Sequence, residues 1–134
     1  MAIIATAHLK SLNTPWQGQI QHGRHQYLTD KPESFGGQDA GPAPYDFLVS
    51  SLIACTMITL RMYAQHKGFE LGEFSVEADF KANKEGLEWI ERRLHFKSNL
   101  DSALQDKILN ICEKTPVTKT LLRSLSIQTQ IMDD

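Results

Sequence analysis

Cysteine is scarce in this sequence: Cys55 and Cys112 are the only two among 134 residues. Two thiols are too few for the framework of a small secreted scaffold. In a reducing compartment such residues are catalytic, buried or unpaired. Net charge is scarce as well, a formal -2, so no electrostatic pull toward nucleic acid or an anionic membrane is expected. No apolar run approaches the roughly 20 residues that span a bilayer. The start Met1-Ala2-Ile3-Ile4-Ala5-Thr6 lacks the basic residues and cleavage pattern of a secretory signal, and the cytoplasm is the expected compartment. The five histidines include no H-x-x-x-H pair and the cysteines no C-x-x-C, so no metal or other cofactor is expected. Nucleotide-binding glycine loops and a G-x-S-x-G elbow are also missing.

What is present fits one soluble domain over residues 1–134, with 41% hydrophobic and 22% charged residues. Ile3 to Leu9, Trp16 to Ile20 and His25 to Leu28 are short candidate strands, the last two separated by a turn at His22-Gly23-Arg24. From Asp30 to Pro44 the chain carries Pro32, Gly36, Gly37, Gly41, Pro42 and Pro44, the composition of a loop that can line a site. Pro44 suits a first helical position, where its missing N–H costs nothing, and Asp46 falls in the first turn, where exposed N–H groups favour a carboxylate. Phe47, Leu48, Ser51, Leu52, Cys55, Ile58 and Met62 then recur at spacings of three and four, and Lys67-Gly68 stops the helix. This pattern predicts that Cys55 lies deep in a buried helix. Ile53, Met57 and Leu60, on its other faces, are apolar too. Such a helix needs cover all round, which points to a homodimer or to crowding by a second helix.

Phe74, Val76, Ala78 and Phe80 alternate with polar residues, Asn83-Lys84-Glu85-Gly86 is a turn, and Ile90, Leu94 and Phe96 carry the alternation back, predicting a hairpin. Glu91, Arg92 and Arg93 are expected on its wet face. Ser102 with Gln105 resembles a capping box that opens a helix bearing Leu104, Ile108, Ile111 and Cys112 on one side. Thr115-Pro116 breaks that helix, Val117 to Ser124 restarts it, and Leu125, Ile127, Thr129 and Ile131 are expected to end the chain as a strand. The predicted fold class is α+β, with helices packed on mainly antiparallel sheet.

A thiol attacks only as thiolate, which requires a lowered pKa and a path for substrate. Cys55 is too far from its helix start for the dipole to help, so any activation comes from side chains brought near by folding: Asp46, Arg24, His22, His25, Arg61, Ser51 or Thr56. The ordinary role of a lone cysteine on an apolar helix face is a small core residue, and Cys112 fits its stripe in the same way. His22 and His25, flanking a turn, suit a plain surface role. If their Cα atoms fall within about 7 Å the two cysteines can also bridge.

Asp30-Lys31-Pro32, Gly36-Gly37, Gly41-Pro42-Ala43-Pro44-Tyr45-Asp46-Phe47-Leu48, Ala54-Cys55-Thr56 and Thr115-Pro116-Val117 occur in an order that resembles the OsmC/Ohr family of osmotically inducible and organic-hydroperoxide-resistance proteins, in its branch with a G-P-x-P-Y-[DE] pattern. The resemblance implies an intertwined α+β homodimer with long central helices at the interface and active sites between subunits. It also implies a peroxidase in which Cys55 attacks the peroxide, forms a sulfenic acid, and condenses with a second cysteine to a disulfide that a dithiol reductant reopens. Cys112 stands three positions before Thr115, where the family places its resolving cysteine; Asp46 stands one after Tyr45, where it places an acid; and the family's N-terminal arginine finds only Arg24 as a counterpart. A dimeric binding protein for a small apolar ligand, keeping the fold without turnover, is the alternative.

Overall fold

In the computed structural model, which describes residues 1–133, the chain forms two compact units, one over Met1–Leu48 and one from Val49 onward. The first holds a three-stranded antiparallel meander: β1 (His8–Ser11), β2 (Gly18–His22) and β3 (His25–Thr29), in that spatial order. The β2–β3 hairpin closes at the expected turn, with His22 opposite His25 and Gly23 at a positive φ of 54°. β1 starts later than alternation suggested. β2 does too, because residues 12–17 are spent on a turn in which the Leu12 N–H bonds the Gln17 carbonyl and the Gln17 N–H bonds that of Thr14.

The loop after β3 is organised by one carboxylate. Asp30 is only 2% exposed, and its oxygens accept from the backbone N–H groups of Lys31, Gln38 and Ala40 and from the Gln17 amide. A short 3-10 turn at Glu33–Phe35 lies inside this knot. Gly37 and Gly41 are required by close approach: a Cβ on either would stand 2.0 Å from a carbonyl oxygen, that of Lys31 or of Leu28.

Helix α1 runs over Pro44–Lys67, the predicted bounds, and ends where Gly68, at φ 77°, donates its N–H to the Ala64 carbonyl. Its buried residues are Leu52, Thr56, Leu60 and Ala64, an unbroken i, i+4 line. The predicted face is therefore wrong in part. Of the residues named for it, Leu52 is buried, but Ser51, Ile58 and Met62 are exposed and Cys55 is half-buried. Because α1 is apolar on most sides, periodicity could not select the buried one; the elements packed against it did. By length and composition α1 is also long and apolar enough to cross a membrane, with mean hydropathy 1.6, contrary to the expectation from apolar runs. Ser and Thr residues break up its apolar runs but leave that mean high.

The second unit adds β4 (Phe74–Ala82) and β5 (Glu88–Phe96), an antiparallel hairpin in the register Phe74 to Phe96 through Ala82 to Glu88. Asn83 fixes the turn by accepting from the Glu85 and Leu87 N–H groups, and Gly86 supplies a φ of 87°. The outer face carries charge: Arg93 pairs with Glu77 and Asp79 at 2.9 and 2.8 Å, and Lys81 with Glu91 at 3.0 Å. These exposed pairs add little stability.

Helix α2 covers Ser102–Cys112. Its cap is Asp101, whose carboxylate accepts from the Leu104 N–H, and not the expected Ser102; Gln105 turns its amide to the Leu100 carbonyl. Helix α3 restarts at Pro116 and ends at Leu121, capped by Thr115. Leu60, Ala64, Leu71, Ile108 and Cys112 form the core, with Phe74, Leu94 and Phe96 of the hairpin packed on it. The expected strand at Leu125 to Ile131 is not formed: residues 124–133 have no regular structure and are exposed. Alternation marks a segment able to pair, but a strand exists only when an edge pairs with it. The architecture is mixed α+β, with antiparallel sheets and one long helix.

Candidate active site

Two thiols, one half-buried and one buried, stand on separate helices, and both are free. Cys55, on α1, has the Thr59 hydroxyl 3.8 Å from its sulfur, one helical turn on. Thr59 in turn lines a cavity of about 310 Å³ between α1 and α2, together with Tyr63, Ile111, Asn110 and the two lysines Lys107 and Lys114. The sulfur thus neighbours a hydroxyl that faces an open, positively charged hollow.

Cys112 is different. It is 3% exposed, in the core with Leu60 and Ile108. Burial pushes its thiol pKa up; the charge of Arg92 opposes this, and Glu113 adds to it. Protonated thiol is its resting form.

The residue that links the two helices is Arg92, which sequence reasoning set on the wet face. In the β4–β5 register Arg92 lies opposite Ala78, on the same side as Ile90, Leu94 and Phe96, and points inward. Its Nη1 donates to the Thr56 hydroxyl at 2.8 Å and to the Thr118 hydroxyl at 3.1 Å, and its Nη2 to the Cys112 carbonyl at 2.9 Å. One guanidinium therefore joins the residue after Cys55 to the last turn of α2 and to α3. The Cys112 carbonyl is an orphan acceptor at a helix end, where a cation is favoured. Thr118 also donates to that carbonyl and bonds the Thr115 hydroxyl at 2.6 Å. The strand parity of Arg92 was the available signal, overridden because arginine is normally solvated.

The other candidates are dispersed. Asp46 accepts from the Ala43 N–H at 2.8 Å and its own N–H returns to the Ala43 carbonyl, so it closes the helix entry. Arg24 and His25 are exposed at the β2–β3 turn, while His22 is bonded to the Tyr27 hydroxyl and stacked on its ring. Arg61 lies over the Phe74 ring, 4.7 Å from its centroid. Thr56 is fully buried beneath Arg92, and Ser51 is exposed. Among the described residues no cluster of three or more His, Cys, Asp or Glu side chains could hold a metal.

A model of the family described as OsmC-like protein matches residues 36–130, most of the chain. This chain belongs to the OsmC-like family. Solved structures agree on the fold. An OsmC-like protein from Mycoplasma pneumoniae has a TM-score of 0.71 at 18% identity, covering 91% of this chain and 89% of its own. A Psychrobacter arcticus protein, provisionally described as an osmotic stress induced and detoxification response protein, has a TM-score of 0.75 at 18% identity over 90% of both chains. A Legionella pneumophila organic hydroperoxide resistance protein OsmC has a TM-score of 0.67 at 15% identity over 90% of both. Among curated proteins none matches this sequence closely enough to count as a relative. In this OsmC-like chain the matched region begins at the Gly36-Gly37 pair of the Asp30 loop and contains both cysteines and Arg92.

Proposed function

We propose that this OsmC-like protein is a thiol-dependent peroxidase that reduces organic hydroperoxides. The Cys55 thiolate attacks the distal peroxide oxygen, the O–O bond breaks, and the alcohol leaves with a proton while Cys55 becomes a sulfenic acid. The Cys112 thiol then displaces water from that sulfur to give a disulfide, and a dithiol reductant restores both thiols by exchange. The observation that carries this reading is the half-buried free thiol of Cys55 beside Thr59, the residue through which it neighbours a cavity walled by Lys107 and Lys114. Family membership supports it, as does the hydroperoxide resistance named for the Legionella relative. Asp46, which closes the helix entry on the Ala43 N–H, would help to orient the site. A second copy, rather than a membrane, would cover the exposed face of α1 at Met57, Ile58 and Met62, and the protein would work as a homodimer in the cytoplasm.

Steady-state consumption of cumene hydroperoxide with dithiothreitol tests the assignment. Cys55→Ser is expected to abolish turnover; unchanged turnover refutes it. The burial of Cys112 favours a second reading, a non-catalytic dimer that binds a small apolar ligand. Mass spectrometry after one equivalent of peroxide separates them: loss of two hydrogens marks the disulfide, gain of one oxygen a cycle without Cys112, and no change the binding protein.

A further inference from the structure

The geometry points to a second site on this chain: the cleft between β5 and α2 takes a small amphiphilic monocarboxylate, its carboxylate on Arg92 and its hydrocarbon tail against Leu94, Phe96, Leu100, Ile108 and Leu109. The cleft measures about 430 Å³, within the usual range of small-molecule sites, roughly 300–1,000 Å³. Neither cysteine is in its lining, so the site stands or falls independently of the peroxidase reading.

Arg92 carries the argument. Its three hydrogen bonds all end on neutral oxygens, and among the described residues no carboxylate lies within ion-pair distance of it. Arg92 is half-buried, and a guanidinium partly withdrawn from water on an apolar face with no counter-charge favours an anion entering the cleft beside it. Those bonds occupy three of the five guanidinium N–H groups, leaving two for an incoming anion. A single arginine, with no lysine or second arginine in the lining, matches one negative charge and not a phosphate dianion. Besides Arg92 the wall has an apolar side, Leu94, Phe96, Leu100, Ile108 and Leu109, and a polar side, Ser98, Asn99 and Gln105, so a carboxylate with a hydrocarbon tail can lay that tail along the apolar side.

Titration calorimetry of the full-length protein with sodium octanoate, and separately with 1-octanol, tests the site. Saturable octanoate binding is expected, with methyl NMR shifts at Leu94, Leu100 and Leu109, and weaker binding of octanol. Arg92→Gln should weaken octanoate by about tenfold or more. Leu109→Glu should do the same by placing a like charge in the wall, and it serves if Arg92→Gln fails to fold, because Leu109 is 59% exposed. Cys55→Ser protein should bind octanoate as the parent does. No saturable binding at low-millimolar octanoate, octanol binding as tight as octanoate, or undiminished binding by Leu109→Glu would overturn the assignment.

Discussion

The bond between Arg92 and Thr56 can be measured as a coupling. Thr56 is fully buried, and its hydroxyl both accepts from Arg92 at 2.8 Å and donates to the Leu52 carbonyl at 2.7 Å. Thr56→Val keeps the shape and removes both bonds. The Leu52 carbonyl loses little, since it remains inside the α1 ladder, whereas the guanidinium loses one of its three acceptors. A hydrogen bond to a charged group contributes about 1.5–3 kcal/mol, and the added methyl returns about 0.8 kcal/mol of apolar burial. Thr56→Val should therefore cost about 1–2 kcal/mol in the presence of Arg92. In an Arg92→Leu background the same change removes no charge-assisted bond and should be close to neutral. The cycle then yields a coupling of about 1–2 kcal/mol, the difference between the two costs. Urea unfolding of the four proteins at one protomer concentration measures it, fixed concentration being needed because a dimer's stability depends on it. Equal costs of Thr56→Val in the two backgrounds, within about 0.5 kcal/mol, would refute the view that Arg92 clips the helices together.

Leu60, 1% exposed at the centre of the core, should lose about 3–5 kcal/mol on replacement by alanine, read from the same denaturation curves. Gly41→Ala would drive a Cβ to 2.0 Å from the Leu28 carbonyl oxygen, so the loop before α1 must shift; a cost of about 1–3 kcal/mol or more is expected, and a variant as stable as the parent would contradict that contact. For Asp30, burial raises the carboxyl pKa, but the Ala40, Lys31 and Gln38 N–H groups and the Gln17 amide outweigh it and hold it below its usual 3.8. The unfolded chain thus binds the proton more readily, and the stability this group contributes is fully present above pH 3.8 and lost as pH falls through the lower folded value. Asp30→Asn should flatten the dependence of the urea midpoint on pH below about 4, and an unchanged slope would count against the loop knot.

The candidate site was half legible in the residues. Cys55 was singled out by its place in the motif, and the structure gives it a hydroxyl neighbour, Thr59, that lines a cavity. Asp46, expected to orient chemistry, accepts from the Ala43 N–H with one carboxylate oxygen at the helix entry. Much of the remaining motif is architecture. Asp30 collects four donors, and Gly37 and Gly41 admit the passing carbonyls of Lys31 and Leu28. Arg92 was missed although its strand parity is written in the sequence, because a formal charge between Glu91 and Arg93 argues for water unless the opposite wall supplies acceptors. Those acceptors, Thr56, Thr118 and the Cys112 carbonyl, lie on three other elements.

Short-range chemistry alone determined the bounds of α1, through Pro44 and Gly68, and the β4–β5 hairpin, through period-two alternation around Asn83 and Gly86. Each of those outcomes depends on dihedral limits and hydrogen bonds within a few residues. Tertiary structure decided which side of α1 is buried, that Leu125 to Ile131 stays unpaired in the single chain, and that a guanidinium sits on the inner face of the hairpin. The physical reason is common to all three: an all-round apolar helix, an unpaired strand and an inward-facing cation acquire their energies only from groups distant in sequence, and local patterns carry no record of those partners.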